Sequence, residues 1–195
     1  KRVAYQRFTF PEGKQSHILF DIGNRQGESG EAQDAEVVIT DEGLIEGWVE
    51  TLPLYCNKYQ KGATVKMYFS ASLDKKPVRV GTFRKKEIFE DQKQVKGVGA
   101  GAYLTFETSE NEAVTAKVGL SYTSVDNARL NREIETDNDS LSFDDVKLAA
   151  AQTWEEYLGR IRVESSSKDD KVKFYTGLYH AILGRGLASD VYGAY

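Results

Sequence analysis

A chain of 195 residues, 40% hydrophobic and 29% charged, has the make-up of an ordinary globular protein with one large or two small domains. Its formal net charge of -4 argues against a nucleic-acid surface, which needs clustered Lys and Arg to neutralise phosphate. The single cysteine, Cys56, excludes an intrachain disulfide, and no apolar run approaches the ~18 residues of a membrane span.

Lys1 is no initiator methionine and leads straight into a strand-like run, so the N-terminus reads as cut and the lack of a visible signal peptide carries little weight. From residue 4 to about residue 122, short apolar and aromatic runs are broken by Gly, Pro, Asn and Asp, the pattern of strands. Eight strands are predicted, at 4–10, 17–22, 35–40, 44–52, 64–73, 78–83, 102–107 and 113–122. In the fifth, Val65, Met67, Phe69 and Ala71 alternate with Lys66, Tyr68 and Ser70, so one face meets a core and the other carries polar groups. No connection is long enough for a helical crossover, which predicts an antiparallel β-sandwich. Arg84-Lys85-Lys86, followed by Glu87, Glu90 and Asp91, reads as a solvated turn.

Beyond Tyr122 the period becomes helical. Ser124 caps a short helix through about Glu133, and a polar link follows at 137–140. Ser142 caps a longer helix on which Phe143, Val146, Ala150, Trp154, Tyr157, Leu158 and Ile161 recur every three or four residues, with Asp144 and Asp145 at its positive end. After the break at 165–170, Asp169 or Asp170 caps a last helix carrying Tyr175, Leu178, Tyr179, Ile182 and Leu183 on one face, with Gly184 as its C-cap. That face needs a partner which no later residue supplies, so the chain reads as ending inside something larger.

Candidate chemistry is sparse. Gly97-Val-Gly-Ala-Gly101 precedes a strand, whereas a phosphate loop opens a helix, so a close backbone approach is the better reading. Asp137, Asp139, Asp144 and Asp145 lack the Gly and Glu of a calcium loop, because Ser142 and Leu148 occupy those positions. His17 and His180 have no ligand-spaced partners and read as structural, as does Cys56. Tyr55, Tyr59 and Trp48 are aromatics that stack on sugars if exposed, although core or interface roles are commoner.

Residues 174–183, followed by Gly184-Arg-Gly-Leu-Ala-Ser-Asp-Val-Tyr-Gly-Ala-Tyr195, resemble the family 92 glycoside hydrolases, the calcium-dependent exo-acting α-mannosidases. Arg7-Phe-Thr-Phe10 and Ile18-Leu-Phe-Asp-Ile-Gly23 resemble early sandwich strands of that family. Residues 117–128 resemble its closing strand and short helix, and Trp154-Glu-Glu-Tyr-Leu158 its connector helix.

The resemblance implies a mainly β fold: an N-terminal β-sandwich over 1–123 that lacks its first strands, a helical linker over 124–168, and the first helix of an (α/α)6 barrel over 169–195. It implies part of an inverting α-mannosidase acting on mannose-containing glycans, secreted, periplasmic or cell-surface, with this segment as scaffold and one wall of the pocket. The catalytic acid, the base and the calcium ligands would lie outside the segment, leaving it inactive alone and dependent on the rest of the catalytic domain. Arg185, Asp190 and Tyr195 become candidate substrate contacts, with the alternatives that Asp190 caps a turn and Arg185 pairs with helix C-terminal carbonyls. The rival reading is a free-standing carbohydrate-binding or adhesive β-sandwich with a helical tail.

Overall fold

The computed structural model describes residues 1–25, 30–183 and 188–195. Ten strands and four helices are present among them, in the order β1 (Val3–Phe10), β2 (Gly13–Asp21), β3 (Glu31–Ile39), β4 (Ile45–Leu52), α1 (Leu54–Tyr59), β5 (Val65–Leu73), β6 (Arg79–Arg84), β7 (Glu87–Glu90), β8 (Gln94–Lys96), β9 (Ala100–Thr108), β10 (Glu112–Ser121), α2 (Val125–Glu135), α3 (Phe143–Leu158) and α4 (Lys168–Leu183). All strand pairs are antiparallel, in a six-stranded sheet of order β1-β10-β5-β4-β3-β8 and a four-stranded sheet of order β2-β9-β6-β7. The mainly β antiparallel architecture followed by helices is therefore the one the sequence implies.

The period-2 alternation explains the packing. Ile45, Phe69 and Ala71 from the larger sheet and Ile18, Leu104 and Phe106 from the smaller are all buried in one cluster. Phe20 stacks on Phe69, with ring centroids 6.4 Å apart. Each large side chain removed from water there stabilises the fold by roughly 1.5–3 kcal/mol.

Two strands were not expected. The Lys85-Lys86 turn forms, with Lys85 at φ 57°, but it joins β6 to β7 as a hairpin with Arg84 opposite Glu87. Short, charged β7 carries too little apolar periodicity to announce itself, and three-residue β8 exists because β3 offers it an edge. The glycine-rich run is a close backbone approach. Gly99, at φ +83°, donates its N–H to Gly23 O, and a Cβ there would sit 2.6 Å from Lys85 Cγ.

By backbone contacts the chain forms two units, Lys1–Ser140 with Ser189–Tyr195, and Leu141–Ala188. In the second unit, Ser142 and Asp145 make a reciprocal capping box at the start of α3. The cap of α4 differs from the expectation: Ser167 Oγ accepts from Asp170 N at 3.3 Å, and Asp169 and Asp170 lie inside the first turn. There the carboxylates still meet the positive end of the helix dipole. Trp154 packs on Tyr179 at 4.7 Å between centroids, and Tyr175 Oη donates to Ile161 O at 3.1 Å. The expected C-cap Gly184 lies outside the described residues.

Candidate functional site

Helix α2 lies on the outer face of the larger sheet with its polar side inward. Buried Ala128, Asn131 and Arg132 and half-buried Glu135 follow the i, i+3, i+4, i+7 spacing of an inward stripe, while Ile134 is exposed. The approach is close because β10 carries Gly119 beneath the helix, where a Cβ would stand 2.3 Å from Ala128 O. Ser124 caps the helix as expected, its hydroxyl accepting from Asn127 N at 3.0 Å.

Charged groups fill the layer between helix and sheet. Arg129 makes two hydrogen bonds to Glu46, at 2.8 and 2.5 Å, and Ser70 donates to the same carboxylate at 2.7 Å. Burial pushes the Glu46 carboxyl up, but the hydrogen bonds from Arg129 and Ser70 and the nearby positive charge leave it below its ordinary value, and Arg129 is raised in turn. Ser70 is therefore buried although it sits on the polar face of β5, because α2 covers it. Further along, buried Arg132 pairs with Asp139, whose backbone carbonyl also accepts from Lys117 Nζ. Asp137, Asn138 and Asp139 all have φ between 51° and 66°. The Asp139 carboxylate accepts from Ser72 Oγ and Thr136 Oγ1, which fastens this left-handed turn to the sheet and to the end of α2.

The return segment Ser189–Tyr195 docks beside this layer. Asp190 is 5% exposed. Its Oδ1 accepts from Asn131 Nδ2 at 2.7 Å, and its Oδ2 accepts from Ser121 Oγ at 2.9 Å and Thr123 Oγ1 at 2.5 Å. Its backbone closes a turn, with Asp190 N donating to Ala194 O and Gly193 N donating to Asp190 O. Arg2 donates to the carbonyls of Ser189 and Asp190 and is itself paired with Glu135. Burial pushes the Asp190 carboxyl up, but hydrogen bonds from Thr123, Asn131 and Ser121 hold it below the usual carboxylate value.

Of the three candidate contacts, Arg185 lies outside the described residues. Asp190 has both oxygens engaged by protein donors, and Tyr195 is 96% exposed. Sequence reasoning missed the partners Arg2, Ser121, Thr123 and Asn131. A signal was present in the polar i, i+3, i+4 stripe of α2, which marks a helix facing hydrogen-bonding groups rather than a core.

Other functional candidates are scattered. His17 Nδ1 lies 3.1 Å from Thr105 Oγ1, a structural bond to a side chain, and His180 stands edge-on to Tyr179. Tyr55 and Tyr59 are exposed and pack together on α1, which also carries the free Cys56. Trp48 is occupied: Lys66 Nζ lies 3.6 Å from its ring centroid and its indole donates to Glu36. A shallow cleft of about 600 Å³ on the outer face of the smaller sheet is lined by Tyr103, Phe83, Arg79 and Lys86. Among the described residues, no three His, Cys, Asp or Glu side chains converge to hold a metal ion.

Known proteins resemble the chain along nearly its whole length. The model of the glycosyl hydrolase family 92 N-terminal domain matches residues 1–121, and that of the glycosyl hydrolase family 92 catalytic domain matches residues 127–195. A solved family GH92 α-mannosidase from Bacteroides thetaiotaomicron is similar over 97% of this chain, with 25% identity and a TM-score of 0.84. It has also been solved in complex with mannoimidazole. An inverting family GH92 mannosidase from the same organism shares the fold, with 23% identity and a TM-score of 0.71 over 93% of this chain. An uncharacterized secreted glycosidase from Arthroderma benhamiae is 33% identical over 90 residues, 44% of this chain and 12% of that protein. The chain spans 25% and 23% of the two solved mannosidases.

Proposed function

This chain belongs to glycosyl hydrolase family 92, and from that premise we propose that it is part of an exo-acting, inverting α-mannosidase that hydrolyses mannose-containing glycans. The observation that carries the proposal is the tiling of the chain by the family's N-terminal and catalytic domain models in that order. The similar mannosidase bound to mannoimidazole supports the sugar class, and the inverting relative supports the stereochemistry. A free-standing binding module would have no need of the catalytic-domain match at 127–195.

The segment supplies the scaffold and one wall of the pocket, with Tyr195, which like Tyr192 is exposed on the return segment, available to meet substrate. Inversion needs one carboxylic acid to protonate the leaving oxygen and one carboxylate to activate water across the ring, about 6.5–9.5 Å apart. Those groups and the calcium ligands belong to the remainder of the enzyme. Calcium, when bound there, would help to hold and distort the mannose. Secretion is proposed on the similar secreted glycosidase. Among the described residues no helix is long and apolar enough to cross a membrane.

The test is hydrolysis of α-linked mannobiose by the complete enzyme, followed by proton NMR. Release of β-mannose as the first product is expected; α-mannose as the first product, or no hydrolysis of any mannoside, overturns the reading.

A further inference from the structure

We infer that Asp190 is a positioning residue: it fixes the return segment Ser189–Tyr195 on the β domain and, given the mannosidase reading, reaches the proposed reaction only through the backbone it holds. Three observations carry this.

The first is the polarity of the cage. Ser121 Oγ already accepts from Thr123 N at 3.0 Å, and Thr123 Oγ1 already accepts from Asn127 Nδ2 at 2.6 Å. The two hydroxyls also lie 2.9 Å from each other, but an ionised carboxylate can only accept, so Ser121 and Thr123 each turn a hydrogen to Asp190 Oδ2. Asn131 presents its amide nitrogen to Oδ1 while also donating to Leu120 O, and its oxygen accepts from Val191 N at 2.9 Å. Three side-chain donors thus converge on one carboxylate, which favours its ionised form.

The second is burial. A carboxylate that grips a sugar needs lone pairs open to solvent, and Asp190 is 5% exposed with both oxygens taken.

The third is placement. Ser121 ends the strand that closes the N-terminal domain match, Arg2 lies near the start of the same match, and Asn131 lies in the catalytic domain match. Groups from both family domains thus converge on one turn. Arg2 secures the carbonyl side of that turn as the cage secures its carboxylate.

The experiment compares Asp190→Ala and Asp190→Asn with Ser121→Ala and Thr123→Val, singly and together. Amide hydrogen exchange is measured in the 195-residue chain at Asp190, Val191 and Gly193, whose N–H groups hold the turn. Loss of a charged, buried hydrogen bond predicts exchange faster by roughly 10- to 100-fold at these three amides, with β5 and β10 unchanged. Asp190→Asn is expected to fall between wild type and Asp190→Ala, because its amide oxygen can still accept from Asn131 while the charge that draws both hydroxyl hydrogens is lost.

In the complete enzyme, Ser121→Ala with Thr123→Val is expected to lower kcat/KM in parallel with Asp190→Ala, since both release the segment that carries Tyr195. Unaltered exchange in the Asp190 variants overturns the inference. So does a rise in KM confined to the Asp190 variants while the hydroxyl variants stay wild type, since that pattern marks direct sugar contact. If the wild-type enzyme hydrolyses no mannoside, the mannosidase reading fails and the exchange measurements alone decide the role of Asp190.

Discussion

Glu46 and Asp190 are carboxylates that donors hold below their ordinary values of 4.5 and 3.8. A carboxylate depressed in the folded state contributes stability that is fully present above its unfolded pKa and is lost as pH falls through the folded one. The melting temperature of the chain is therefore expected to hold from neutrality to about pH 5 and to drop below about pH 4, measured by thermal melts across that range. Glu46→Gln keeps the shape but breaks the paired bond to Arg129. With the Arg129 side chain 40% exposed, solvent screening limits the cost to roughly 1–2 kcal/mol at pH 7. The same variant should show a smaller acid-induced drop; an unchanged acid profile would rule out Glu46 as a contributor. In the core, Leu104→Ala removes a side chain that is 1% exposed and is expected to cost about 2–5 kcal/mol by denaturant titration.

Helix α2 depends on two backbone features. Gly119→Val would drive a branched side chain into the Ala128 carbonyl and the Arg132 backbone, so the helix must lift and expose its polar layer. A loss of about 1–3 kcal/mol or more follows, read by circular dichroism melts. Downstream, Asn138→Gly relieves one left-handed residue in an exposed turn and is expected to raise stability by a few tenths to about 1 kcal/mol, whereas Asn138→Val lowers it. Element legibility followed burial. All eight predicted strands exist because each faces a core along part of its length, and α2 and α3 start where Ser124 and Ser142 mark them. Strands β7 and β8 escaped notice because their pairing partners define them, and α1 because its six residues bury nothing. The cap of α4 was misplaced by two or three residues because Asp suits both the cap and the first turn of a helix.

At the scale of the molecule, the chain leaves its first unit after Ser140 and re-enters it at Ser189, and consecutive buried residues of α2 receive the two ends. Arg132 takes Asp139 on the way out, and Asn131 takes Asp190 on the return. The 195-residue chain alone is expected to release no mannose from α-mannosides, since the acid and base lie elsewhere in the proposed enzyme; turnover by the purified chain would refute this. Alternation, caps and composition were enough to set the β-then-α order and the antiparallel sandwich, since burial periodicity and helix-end chemistry are local properties of the sequence. The ordered motifs were enough for the family. Only the tertiary structure decided that Asp190 faces Ser121, Thr123 and Asn131, groups 59 to 69 residues away in the chain. No sequence period links those positions, because the carboxylate is held by donors that only the packing of α2 on β10 brings together.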